Sequence, residues 1–192
     1  MKQSELIKQL SNEDLRKSVI YSQLLFIVIA AVLSLVLFED LRTWTFIIQF
    51  DISEVVYFGI LPGILIVLVD LVLMRFLPSK HYDDGGINKR IFSDISIDKI
   101  LLLTFLIALS EELLFRGVIQ TIFGYIFASV SFAIVHVRYL RKPVLLISIL
   151  LVSFLIGYMY EVTDNLLVTI FSHFIVDFLL GIFIRYKSWG ES

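Results

Sequence analysis

The chain of 192 residues contains no cysteine. That absence excludes disulfides, thiolate metal sites, a cysteine nucleophile and prenylation of the chain itself. Charged residues are also scarce, at 18% against about 25% in soluble domains, and there is no basic tract of the kind that binds nucleic acid. Of the whole chain, 58% of the residues are hydrophobic. The apolar residues fall in long blocks, which predicts an integral membrane protein.

The apolar blocks predict an all-α, polytopic membrane protein with about six transmembrane helices. Residues 1–18 are polar, and the block that follows is longer than the ~7–15 apolar residues of a signal peptide, so we expect it to be retained as a helix. The fourth block is shorter than the ~17–25 residues usual for a span and is expected to lie among its neighbours. The predicted spans cover residues 19–38, 55–77, 100–121, 125–137, 143–160 and 165–184.

The distribution of lysine and arginine predicts the orientation. Of the 16 basic residues, 14 lie in the N-terminal arm, the second and fourth connections and the C-terminal end, which share one side of a six-span chain. Arg42 lies on the other side, and Arg116 lies inside an apolar block. Because cytoplasmic loops are enriched in Lys and Arg, both termini are expected in the cytoplasm. The minimal loops favour a bacterial plasma membrane.

Three charged residues lie inside the third block, in the stretch LSEELLFR at residues 109–116. A charge at the bilayer centre costs roughly 2.5–3.5 kcal/mol on insertion scales, so three of them need a partner or a function. Glu112 and Arg116 are four residues apart and share a helix face, which lets them pair. Glu111 is offset from Glu112 by about 100° and can point elsewhere.

Two histidines complete the pattern. His136 follows Phe132 by four residues in the fourth block, and His173 precedes Asp177 by four in the sixth. At ~1.5 Å per residue, Glu111 and these polar groups all fall roughly 12–18 Å from a membrane surface. Three helices are therefore expected to bring them to one level.

Such a set of side chains has the parts for activating a water molecule. A buried carboxylate can act as the general base, and a neutral histidine can orient the water. A second histidine can donate to the oxyanion of a peptide carbonyl under attack. Ser110 is a neighbouring hydroxyl that can position a group; we do not expect it to be a nucleophile.

The three motifs together resemble those of the CPBP family of intramembrane proteases, which is also called Abi and includes CAAX-processing and bacteriocin-processing members. The resemblance covers about residues 100–184. Each motif alone is weak, but in this order and inside membrane helices they are specific. The motifs are Glu111-Glu112-x-x-x-Arg116, Phe132-x-x-x-His136 and His173-x-x-x-Asp177.

The resemblance implies a role for each residue, without a metal or other cofactor. Glu111 and His136 would activate the water, and His173 and Asp177 would stabilise the oxyanion. An ionised aspartate cannot donate a hydrogen bond, so Asp177 is either protonated or orients His173 or another donor. Glu112, Arg116 and Phe132 would support the site. For Glu112 and Arg116, a purely structural ion pair stays open as the alternative.

The implied function is an intramembrane glutamic endopeptidase that cleaves a membrane-associated protein or peptide, in peptide maturation or bacteriocin self-immunity. Two alternatives stay open. A zinc-dependent hydrolase would use the same histidines and carboxylates as ligands, although no HExxH motif is present; His81, in a Gly-containing loop, is expected to be solvated. A non-catalytic membrane regulator would bind a sensor kinase or another membrane protein.

The resemblance also divides the chain. We expect residues 1–99 to form an N-terminal two-helix membrane region with a cytoplasmic amphipathic segment, and residues 100–192 to form a four-helix catalytic core of the CPBP type. In the amphipathic segment, residues 87–98, apolar side chains recur at helical spacing with charges between them. This predicts a short helix lying on the cytoplasmic surface.

Overall fold

The computed structural model describes residues 9–78, 84–139 and 142–190, and throughout these ranges the regular structure is helical, with no β-strand. The predicted all-α class is confirmed. The helices are α1 (Asn12–Leu37), α2 (Thr43–Ile47), α3 (Ile52–Phe76), α4 (Ile87–Phe92), α5 (Ile97–Glu112), α6 (Tyr125–Val135), α7 (Pro143–Thr163) and α8 (Leu166–Gly190).

Four helices, α1, α3, α7 and α8, are long and apolar enough to cross a membrane. The other two predicted spans differ from them for separate reasons. α5 continues through a π-helical segment, Leu113–Gln120, and a last turn, Thr121–Phe123. It differs from the four apolar helices because it carries the charged residues 111, 112 and 116. α6 has 11 residues, about 16 Å of helix against a hydrocarbon core of about 30 Å. The count of six spans therefore stays a prediction.

α8 lies at the centre of the bundle and packs against α3, α5 and α7. Its contact with α3 is especially close, because two glycines four residues apart on α3 face its backbone. A Cβ atom added at Gly59 would lie 2.7 Å from the carbonyl oxygen of Val168, and one added at Gly63 would lie 2.9 Å from that of Ser172. This is the small-residue packing by which membrane helices approach closely. It fixes the part of α8 that carries His173.

We expect Gly63→Val to destabilise the fold by about 1–3 kcal/mol, because the added side chain meets backbone that cannot move aside. The measurement is the midpoint of thermal unfolding in detergent. Leu65→Val introduces the same side chain on the lipid-facing side of α3, where Leu65 is 61% exposed, and should leave the midpoint nearly unchanged. Equal midpoints for the two variants would contradict the close contact.

One end of the bundle is closed by α4 and the turn after it. The helix predicted over residues 87–98 is shorter, Ile87–Phe92, and two of its apolar side chains are buried in the bundle. Ile91, Phe92 and Ile95 are buried against α1, α5 and α8. The guanidinium of Arg16 on α1 donates to Asp94 at 2.6 Å and is 3.4 Å from the carbonyl oxygens of residues 90 and 91. These contacts fix α1 at this end of the bundle.

Candidate active site

The charged motif of α5 lies where the helix changes from α-helical to π-helical geometry. Ser110, Glu111 and Glu112 are in the last α-helical turn, and the wider π-helical segment begins at residue 113. Ser110, Glu112 and Arg116 have no exposed surface, and Glu111 is 5% exposed. Local π-helical geometry is frequent at functional sites. Here it coincides with the only stretch of the apolar block that carries charge.

Glu112 is held by donors from two helices. Arg116 Nη1 donates to Glu112 Oε1 at 3.0 Å, and His173 Nδ1 lies 2.8 Å from the same oxygen. Arg116 also donates through Nη2 to the carbonyl oxygen and the hydroxyl of Ser153 on α7, at 3.0 and 3.1 Å. Buried charges persist when they are paired and hydrogen-bonded in this way. The network joins α5, α7 and α8.

The Phe132 ring lies between the cation and both imidazoles. The Arg116 guanidinium is 4.5 Å from its centroid. The ring centroids of His136 and His173 are 4.9 and 5.9 Å away. Such a position combines cation–π attraction with ring packing. Phe132 therefore fixes where both histidine rings can lie.

Glu111 faces the two histidines through one carboxylate oxygen. Its Oε2 is 3.9 Å from His136 Nε2 and 4.0 Å from His173 Nε2. His136 Nδ1 lies 2.8 Å from the carbonyl oxygen of Phe132 and donates to it, since that oxygen can only accept. The Nε2 of a neutral His136 is then an acceptor directed toward Glu111. The gaps are too long for direct hydrogen bonds and short enough for one bridging water.

The histidine of α8 has carboxylates on both sides of its ring. His173 Nδ1 contacts Glu112, and its Nε2 is 3.5 Å from Asp177 Oδ2. The Asp177 side chain is 30% exposed and that of His136 is 20% exposed, whereas the side chain of Glu111 is 6% exposed. The cluster therefore opens on the side of His136 and Asp177 and is closed behind Glu111.

The structure brings together every side chain that the sequence predicts for the site, from α5, α8 and the end of α6. One placement differs from the expected one. His136 follows the last residue of α6, with φ −79° and ψ 53°, and a 3₁₀ turn, Val137–Tyr139, begins after it. It therefore caps a helix end instead of lying within a span. The assembled residues are Glu111, Glu112, Arg116, Phe132, His136, His173 and Asp177.

The sequence does not single out Gln23, which also contacts the cluster. This buried residue of α1 donates from Nε2 to Glu111 Oε1 at 3.3 Å. The Ser110 hydroxyl lies 2.6 Å from Gln23 Oε1. The available signal is an amide side chain inside a block of residues without charge, because a polar group in a membrane helix requires a hydrogen-bond partner.

Among the residues that the structure describes, no group of three or more His, Asp or Glu side chains is arranged to hold a metal ion. His81 lies outside the described residues. Glu112 Oε1 and His173 Nδ1, two potential ligand atoms, are engaged with each other.

The fold and the cluster define an integral membrane protein of helical class with a buried carboxylate–histidine site. Residues 95–179, which include all seven predicted site residues, match a family model described as Type II CAAX prenyl endopeptidase Rce1-like. The chain is also similar to the uncharacterized protein YpbD of Bacillus subtilis (strain 168), with 45% identity over 166 residues, 86% of this chain and 88% of the relative. No solved structure matches the chain.

The chain belongs to the Type II CAAX prenyl endopeptidase Rce1-like family, a family of membrane proteases. The resemblance to the CPBP family that the motifs show is thereby confirmed.

Proposed function

We propose that this chain is a glutamic-type intramembrane endopeptidase that hydrolyses a peptide bond of a membrane-associated protein or peptide. Family membership supports protease activity in general. The observation that carries the glutamic mechanism is the position of Glu111 Oε2, within 4.0 Å of Nε2 on two histidines in a closed part of the bundle. The topology that we propose has six membrane spans and cytoplasmic termini, in a bacterial plasma membrane.

The first step is water activation by Glu111 and His136. A water between them donates one hydrogen bond to Glu111 Oε2 and the other to His136 Nε2, which is an acceptor in the neutral ring. Its oxygen attacks the peptide carbonyl carbon while one proton passes to Glu111. When the C–N bond breaks, Glu111 returns that proton to the leaving amine. Water is thereby added across the peptide bond with no external reagent.

His173 stabilises the oxyanion only in its imidazolium form. Its Nδ1 proton is already donated to Glu112, so a donor directed to the substrate must be Nε2–H. In the imidazolium both nitrogens carry protons, which satisfies Glu112 on one side and leaves Nε2–H near Asp177 on the other. Glu112, on the opposite nitrogen, orients this donor in the manner of the carboxylate that holds a catalytic histidine, and Asp177 lies 3.5 Å from the same Nε2.

Substrate reaches the site from the side where His136 and Asp177 are exposed. That side continues into the connection after residue 137, which carries Arg138 and Lys142 and is cytoplasmic in the predicted topology. A substrate whose scissile peptide bond lies near the inner membrane surface would reach the site from this side. Peptide maturation and bacteriocin self-immunity are processes in which such a cleavage would serve.

The test compares membrane and secreted peptides from cells that make the wild-type protein with those from cells that make Glu111→Gln at the same level. Glutamine keeps the size of the side chain but cannot act as the base. New peptide termini that appear only with the wild type support the proposal and identify the substrate. If the two peptide sets match and the glutamine form still rescues a deletion phenotype, the protease proposal is wrong and the regulator function takes its place.

We expect the activity to be insensitive to chelators, because the proposed base, the oriented water and the oxyanion donor all come from side chains. The measurement is the initial cleavage rate after incubation with EDTA or ortho-phenanthroline, with the non-chelating meta isomer as control. A loss of rate that zinc restores would favour the zinc-dependent mechanism instead.

A further inference from the structure

Gln23 is a buried polar side chain on the first membrane helix, outside the segment 95–179 that matches the family. No residue of α1 between Val19 and Leu37 is charged, and the one polar contact that α1 itself gives the amide is the adjacent Ser22 hydroxyl, at the long distance of 3.5 Å. Within the bilayer the amide therefore depends on the contacts that the bundle provides. The contacts from other helices are the Glu111 carboxylate and the Ser110 hydroxyl, on two adjacent residues of α5. The first helix thus touches the proposed catalytic base directly.

The chemistry of the two partners fixes which way the amide points. A carboxylate accepts hydrogen bonds, so the NH₂ group must face Glu111, at 3.3 Å. The amide oxygen then faces Ser110, whose hydroxyl is the donor in this contact at 2.6 Å, since an amide oxygen cannot donate. The same hydroxyl lies 2.8 and 3.0 Å from the backbone carbonyl oxygens of residues 106 and 107, so the contact with Gln23 is the shortest of the three. The opposite orientation would place two acceptor oxygens against each other. Ser110, Gln23 and Glu111 therefore form a chain of donors that ends on the carboxylate.

This chain makes the two oxygens of Glu111 different from each other. Oε1 is engaged by Gln23, whereas Oε2 lies between the Nε2 atoms of His136 and His173. A carboxylate free to rotate about its last bond would not keep one oxygen in that position. The amide also stabilises the anionic form, because a hydrogen bond to a charged acceptor is stronger than one between neutral groups.

We propose that Gln23 is a positioning residue, oriented by Ser110, which holds the Glu111 carboxylate with Oε2 directed at the reacting water. This inference rests on the proposed function, in which Glu111 is the base. α1 is itself well fixed for such a role. Arg16 anchors it to Asp94 two turns before Gln23, and Phe26 packs edge-on against Phe115 of α5, at 6.0 Å between ring centroids, one turn after it.

The experiment measures kcat and KM for Gln23→Met, Ser110→Ala and the double variant, on the substrate found by the peptide comparison. Methionine keeps the length of the side chain and suits a membrane helix but cannot donate. We expect kcat to fall about tenfold in Gln23→Met, with KM within about twofold of the wild-type value. Leu24→Met, at the adjacent lipid-facing position, is the matched control and should behave as wild type.

The double variant separates positioning from packing. Because Ser110 acts through Gln23, Ser110→Ala should cost less than Gln23→Met, and the double variant should be no slower than Gln23→Met alone. Additive losses, or a wild-type kcat in Gln23→Met, would overturn the proposal. If Gln23→Met does not fold, Ser110→Ala decides by itself, since it alters neither Gln23 nor Glu111 and must still lower kcat with KM unchanged.

A second readout does not depend on catalysis. A membrane-permeant carbodiimide reacts with protonated carboxyl groups, and its attachment to Glu111 can be measured by peptide mass. Removing the amide donor disfavours the carboxylate anion, so labelling of Glu111 should be faster in Gln23→Met than in wild type or Leu24→Met. If the wild type cleaves nothing, the proposed function fails, and this rate still decides the inference. Equal labelling rates would reject it.

Discussion

Glu111→Gln is expected to lower kcat by about 10²–10⁴-fold, the contribution typical of a positioned general base. Glutamine matches the shape of the side chain and can still contact Gln23, but it cannot take the proton from water. Because the site around Glu111 is closed, little bulk water is available to replace it. The loss should appear in kcat and not in KM, since the carboxylate acts on the attacking water.

The measurement is steady-state cleavage of a peptide substrate by purified protein in detergent or liposomes. Glu39→Gln, at an exposed acid after α1, is the matched control and should retain full activity. Both variants should unfold at temperatures close to the wild-type midpoint, which separates loss of chemistry from loss of fold. Substantial activity remaining in Glu111→Gln would remove Glu111 as the base and direct attention to His136.

Arg116→Met is expected to destabilise the fold by about 3–5 kcal/mol, because it breaks a fully buried ion pair and leaves the Glu112 carboxylate with His173 as a remaining partner. Arg116 and Glu112 have no exposed surface, and the guanidinium also donates to Ser153 on α7. The lost contacts therefore include the link between α5 and α7. The cation–π contact with Phe132 would be lost as well.

Thermal unfolding in detergent and the yield of folded protein are the measurements for this variant. Arg42→Met, where the side chain is 82% exposed, removes the same charge at the surface and should have little effect. The double variant Glu112→Gln/Arg116→Met should recover part of the loss, since the carboxylate that lost its guanidinium partner is removed as well. If Arg116→Met were as stable as Arg42→Met, the structural interpretation of this ion pair would be wrong.

Much of the geometry around Glu111 was accessible from the sequence because helical spacing determines it. A four-residue separation places Glu112 beside Arg116 and His173 beside Asp177, and both contacts are present. Depth counted along apolar blocks brings α5, α6 and α8 to one level, and Glu111 does face both histidines. These relations are local to one helix or follow from the constant rise of a helix.

The features of the site that the sequence does not predict depend on how the helices pack side by side. Whether Gln23 faces α5 or lipid depends on the rotation of α1, and its apolar sequence fixes that rotation poorly. The contact between Glu112 and His173 joins two helices whose relative angle no spacing rule supplies. The 3₁₀ turn that follows α6, Val137–Tyr139, is likewise not supplied by any spacing rule.

The packing of α1 and α3 has a consequence for engineering this chain. The segment that matches the family, residues 95–179, contains the three motifs of the proposed site but neither Gln23 nor the glycines of α3 that contact α8. Transplanting that segment alone into another membrane scaffold would leave the Glu111 carboxylate without its amide partner. In a chimera with a relative, α1 and α5 therefore have to be exchanged together, as the two halves of one contact.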